Sequence, residues 1–86
     1  MYKKNDKLLE MNLDENTLMI YDEERELNFV LNDSLLIIYN NCDKNIQEIK
    51  EELKKELNIT ISDEELLNDI EEALNSLVVN NIILVN

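Results

Sequence analysis

The sequence predicts one small α+β domain in which a three-stranded antiparallel sheet is followed by three helices. Three observations carry that expectation: period-two alternation in the first third, helical spacing of apolar residues after Leu31, and a chain too short for a second core. At 86 residues and 10.2 kDa the chain lies below the usual domain size. A single domain over residues 1–86 is therefore expected, with 1–7 as a flexible arm. Hydrophobic residues make up 44% of the chain, enough to fill a core despite the heavy charge.

Leu18, Ile20 and Asp22 alternate with Met19 and Tyr21, and Leu27, Phe29 and Leu31 alternate with Asn28 and Val30. Each run reads as a strand with two distinct faces. The polar run Asp22-Glu23-Glu24-Arg25-Glu26 joins them as an antiparallel hairpin, with its side chains directed into water. Upstream, Leu8 to Leu13 supplies a weaker third strand, set off by the turn-like Asp14-Glu15-Asn16-Thr17.

After Leu31 the period changes. Asn32 or Asp33 can cap a short helix carrying Leu35, Leu36, Ile38 and Tyr39, which stops in Asn40-Asn41-Cys42-Asp43-Lys44. Asn45 caps a second helix with the apolar stripe Ile46, Ile49, Leu53 and Leu57. Its charged residues, Glu48 to Glu56, form a solvated face with a Glu51–Lys55 pair. Ser62-Asp63-Glu64-Glu65 has the pattern of a capping box and starts a third helix. The apolar residues of that helix, from Leu66 to Val78, span roughly 140° of arc, wider than one core contact needs. The surplus either packs against both the sheet and the other helices or faces a partner. Asn80-Asn81 ends the helix in place of glycine, and Ile82-Ile83-Leu84-Val85 is expected to fold back onto the core.

Composition removes most chemistry. There is no Gly, Pro, His or Trp, hence no glycine-rich phosphate loop, no imidazole base and no histidine-ligated metal. The lone Cys42 allows no internal disulfide, lacks a histidine to activate it, and has Asp43 beside it to raise its pKa. Asp43, Asn45 and Gln47 miss the calcium-loop template, since no glycine follows and Lys54 stands where a glutamate belongs. No catalytic residue, cofactor or metal is expected. Eight Lys and Arg against 20 Asp and Glu leave a net charge of −12, which repels nucleic acid and anionic membrane surfaces. A winged-helix reading of the last two helices as a DNA reader fails for the same reason, because the third helix carries six acidic residues and no Lys or Arg. No apolar run reaches signal-peptide or membrane-span length, so a cytoplasmic protein is expected.

The strand from Leu27 to Leu31 runs directly into a helix and can leave one backbone edge unpaired. Such an edge, beside a helix with an over-wide apolar face, suits an extended peptide that adds as a further strand.

Several residues fit a known pattern: Leu31-Asn32-Asp33-Ser34, then Ile38-Tyr39, then Asp43-Lys44-Asn45-Ile46 with Glu48-Ile49 and Leu53, and finally Asp69-Ile70, Ala73-Leu74, Leu77 and Asn81-Ile82-Ile83. In order and spacing they resemble the PqqD-like domains, the recognition elements for ribosomally made, post-translationally modified peptides. The similarity covers about residues 8 to 85. Departures are Tyr39 for the usual Trp, Lys44 and Asn81 for turn glycines, and Asn45 for a capping Thr. The resemblance implies a winged-helix-like fold and a non-catalytic module. Such a module binds the leader segment of a precursor peptide and hands it to a modifying enzyme, such as a radical SAM enzyme or a lasso-forming protease or cyclase. It further implies that the leader adds to the third strand, at Leu27, Asn28, Phe29, Val30 and Leu31, and lies against Asp69, Ile70, Ala73 and Leu77 of the third helix. An alternative from another class is an acidic regulator that covers a basic protein surface as a nucleic-acid mimic.

Overall fold

A computed structural model describes residues 1–86. Eight elements follow one another: β1 (Tyr2–Lys4), β2 (Leu9–Asp14), β3 (Thr17–Asp22), β4 (Leu27–Asn32), α1 (Asp33–Asn40), α2 (Ile46–Glu56), α3 (Asp63–Val79) and β5 (Ile83–Val85). The expected α+β order is present: β2, β3 and β4 form an antiparallel sheet with β3 in the centre, and three helices follow. None of the helices is long and apolar enough to cross a membrane.

The alternation in β3 sorts its side chains between two faces. Leu18, Ile20 and Asp22 are buried, while Met19 and Tyr21 point to the other side and are half-buried. Register places Leu18 opposite Leu31 and Ile20 opposite Phe29, so the inner face of the sheet is an apolar strip. α1 packs on β3 and β4, and also against α2 and α3. Together these elements enclose one cluster containing Ile38, Tyr39, Ile49, Leu53, Leu66, Ile70, Leu74 and Leu77. Burying such apolar side chains, at about 1.5–3 kcal/mol each, is the main favourable term in folding.

The N-terminus differs from the expectation. Tyr2–Lys4 is not a flexible arm but pairs antiparallel with β5, Lys3 opposite Leu84, and Asn86 donates its N–H to the Met1 carbonyl at 3.0 Å. The cause lies at the other end of the chain. Ile82 and Ile83 fold into the core as expected, and this brings backbone groups against the core that need hydrogen-bond partners. Residues 2–4 supply them, and Asn5 extends the link by donating its N–H to the Ile82 carbonyl at 3.1 Å.

Helix ends follow the sequence with two exceptions: Asn32 stands at the N-cap of α1 but its side chain makes no capping hydrogen bond, and the reciprocal capping box is at α2 rather than α3. Asn45 and Glu48 form the reciprocal capping box at α2: Asn45 Oδ1 accepts from the Glu48 N–H at 2.9 Å, and Glu48 Oε1 accepts from the Asn45 N–H at 3.4 Å. At α3 only half of the expected box exists, with Ser62 Oγ accepting from the Glu65 N–H at 3.2 Å. α3 ends in a Schellman turn in which the Ile82 N–H reaches the Leu77 carbonyl, the Asn81 N–H reaches the Val78 carbonyl, and Asn81 takes φ 58°. Left-handed backbone also occurs at Glu26 and Asp33, but not at Lys44, so that turn does not require glycine.

Two charge assignments change. The Glu51–Lys55 pair does not form; Lys50 bonds Glu51 and Asp63, and Lys54 bonds Asp63 at 2.9 Å, clamping α2 to the start of α3. Nor does Asp22 splay into water: it is 7% exposed and accepts from Arg25 Nε at 3.0 Å, while Arg25 Nη2 donates to the Asn80 carbonyl at 3.0 Å. The one arginine thereby satisfies a buried carboxylate and ties the β3–β4 turn to the end of α3.

Candidate functional site

β4 is an edge strand, bonded to β3 on one side only. The ladder itself shows which of its backbone groups stay free. Asp33 donates its N–H to the Asn16 carbonyl at 3.1 Å, one step past the Thr17–Asn32 pair. Bonded and non-bonded pairs alternate along an antiparallel ladder, so the bonded pairs are Leu18–Leu31, Ile20–Phe29 and Asp22–Leu27. Asn28, Val30 and Asn32 therefore turn their N–H and C=O groups away from β3, the Asn32 carbonyl being taken up by the first turn of α1, of which it is the N-cap. Of the five strand residues singled out from the sequence, Leu27, Phe29 and Leu31 use their backbone to hold the sheet, and Asn28 and Val30 form the open edge. Both open-edge residues are exposed, Val30 at 55%.

α1 starts where this edge ends, and its first turns form one wall of an apolar pocket of about 210 Å³. Leu35 and Ile38 of α1, Ile59 and Ile61 of the α2–α3 connection, and Ile70 and Ala73 of α3 line it, with Asp69 as the only charged group in the wall. Three of the four α3 residues carried over from the resemblance thus converge on one cavity. Leu77 does not, being 2% exposed and packed in the core, and Ile70, although it backs the cavity, is likewise fully buried in the core. α1 contacts both β4 and α3. Ile59 and Ile61, which alternate in a connection between helices, are site residues that the sequence reading missed. Their spacing was visible, but only the fold reveals what they face.

Tyr39 is buried and donates its hydroxyl to Glu10, and Lys4 Nζ sits 4.5 Å from the ring centroid. Burial, then the bond to Glu10, holds this phenol protonated well above its ordinary range. Burial, then the charge of Asp43, pushes the Cys42 thiol up, the opposite of what a nucleophile needs. Lys54 and Lys50 hold the Asp63 carboxyl below the usual carboxylate range. A polar cleft of about 450 Å³ lies between Glu15, Asp33, Asn40, Glu52 and Glu56. No group of three or more His, Cys, Asp or Glu side chains is placed to hold a metal ion.

Comparison with known proteins finds no match to this chain among family models, curated proteins or solved structures.

Proposed function

We propose that this protein is a free-standing recognition element that binds the leader segment of a precursor peptide by strand addition and delivers it to a peptide-modifying enzyme. The observation that carries the reading is the open edge at Asn28, Val30 and Asn32; the apolar pocket walled by α1 and α3 begins just after it in the chain, at Ser34 and Leu35. An extended peptide supplies backbone partners for the edge. Its side chains alternate in direction, and one that passes the end of β4 can enter the pocket, where Asp69 favours a neighbouring Lys or Arg. The order of sequence motifs, which resembles the PqqD-like domains, supports the same assignment. On this reading the chain has no catalytic activity of its own, needs no cofactor, and works in the cytoplasm beside its enzyme.

Calorimetric titration with the leader half of the short peptide encoded nearest to the gene tests the proposal, with a scrambled leader as control. Saturable binding of the native leader alone, at micromolar affinity or tighter, is expected. Absence of binding at two salt concentrations would refute it and shift attention to a basic protein as the target.

A further inference from the structure

The outer face of the three-stranded sheet has no covering element, since α1 packs on the inner face that carries Leu18, Ile20 and Leu31. Leu9 is 53% exposed, Met11 56% and Val30 55%. Register sets Met11, Met19 and Val30 side by side across the three strands, with Leu9 and Tyr21 adjacent in the next row. This is a contiguous apolar surface rather than scattered exposed residues, and such surfaces mark interaction sites. Two methionines at its centre give it the adaptability of contact surfaces that fit another protein.

Charge narrows the partner. Residues 8–32 hold seven Asp and Glu against one Arg, and that Arg is already engaged by Asp22 and Asn80. Acidic turns lie at both ends of the sheet, Asp14 and Glu15 at one and Glu23, Glu24 and Glu26 at the other, although Glu15 also lines a cleft beside α1 and α2, and Glu23 and Glu24 line one beside Asn5 and Asn81. A second copy stacked on this face would bring like charges together in a chain of net charge −12. An anionic membrane is repelled in the same way.

We propose that this face is a second docking surface, for a folded protein whose contact patch is apolar and framed by Lys and Arg. Resting on the function proposed above, that partner is the peptide-modifying enzyme. A strand added at β4 points alternate side chains to the same side as Val30. The row Met11–Met19–Val30 would gain one leader side chain, so the enzyme would contact leader and carrier as one continuous surface.

The test measures binding of the full chain to the purified modifying enzyme encoded beside its gene, with leader affinity measured in parallel. Met11→Lys and Met11→Glu place either sign of charge at the centre of the face, on β2 and away from the β4 edge. Both are expected to weaken enzyme binding at least tenfold, Met11→Lys the more, with leader affinity within twofold of wild type and circular dichroism unchanged. Tighter binding by Met11→Glu would mean that charge alone drives the contact and would overturn the apolar face. Wild-type affinity in both folded variants, or no enzyme binding by the wild type, also overturns it. Should the leader fail to bind while enzyme binding stays sensitive to both substitutions, the leader reading falls and the docking face stands.

Discussion

Proline at position 30 separates the open edge from the sheet it belongs to. The Val30 N–H points away from β3, so Val30→Pro breaks no ladder bond, and its exposed side chain leaves no cavity. The free protein should keep its fold, with a stability loss of about 1 kcal/mol or less. Leader binding should suffer far more. The edge loses the donor at the middle of its three outward residues, and the carbonyl it would meet on the leader is left unpaired, at a cost of about 1–3 kcal/mol. Affinity should fall by about 5- to 150-fold. Phe29→Pro makes the contrast, because the Phe29 N–H is bonded to Ile20 and its loss should lower the unfolding midpoint outright. Glu51→Ala, on the solvated face of α2, should change neither property. Calorimetry with the leader peptide, after circular dichroism has shown the Val30 and Glu51 variants folded, reads the result. Equal leader affinities for folded Val30→Pro and Glu51→Ala would refute strand addition at β4.

Three further outcomes follow from particular contacts. Asp69→Ala should weaken leader binding by about 1–2 kcal/mol in the same titration if Asp69 pairs with a leader cation, and unchanged affinity would remove it from the site. Asn81→Val should lower stability in urea unfolding by about 1–2 kcal/mol, because a β-branched residue resists φ 58°, whereas Asn81→Gly should be neutral or stabilising; equal losses would argue against the left-handed turn. Stability should decline in alkali: the unfolded chain releases the Tyr39 proton near pH 10 while the folded chain retains it, so the contribution is complete below about pH 10 and diminishes by about 1.4 kcal/mol per pH unit above it. The buried Cys42 thiol acts with the same sign from about pH 9. Tyr39→Phe should flatten the decline above pH 10, and an unchanged pH profile would show that the phenol is not held protonated.

Local rules determined much of this protein in the sequence itself. Alternation in residues 18–31 sufficed for the hairpin, because a strand's side chains switch face at every residue. The caps Asn45 and Ser62 and the left-handed Asn81 were readable because each acts within a few residues of its own position. Leu31, Ile70 and Leu77 belonged to apolar stripes and are buried accordingly. What tertiary structure decided depends on partners far apart in the chain. Pairing of Tyr2–Lys4 with β5, and the link from Arg25 to Asn80, bring together segments that no local pattern connects. The site divides in the same way. Alternation marked β4, but only its bonding to β3 selects Asn28 and Val30 as the free edge, and only the packing of α1 against α3 joins Leu35, Ile59, Ile61 and Asp69 in one pocket. Periodicity records which side of an element is apolar; the direction of its remaining backbone groups, and which apolar face stays bare, depend on the neighbours the whole fold supplies.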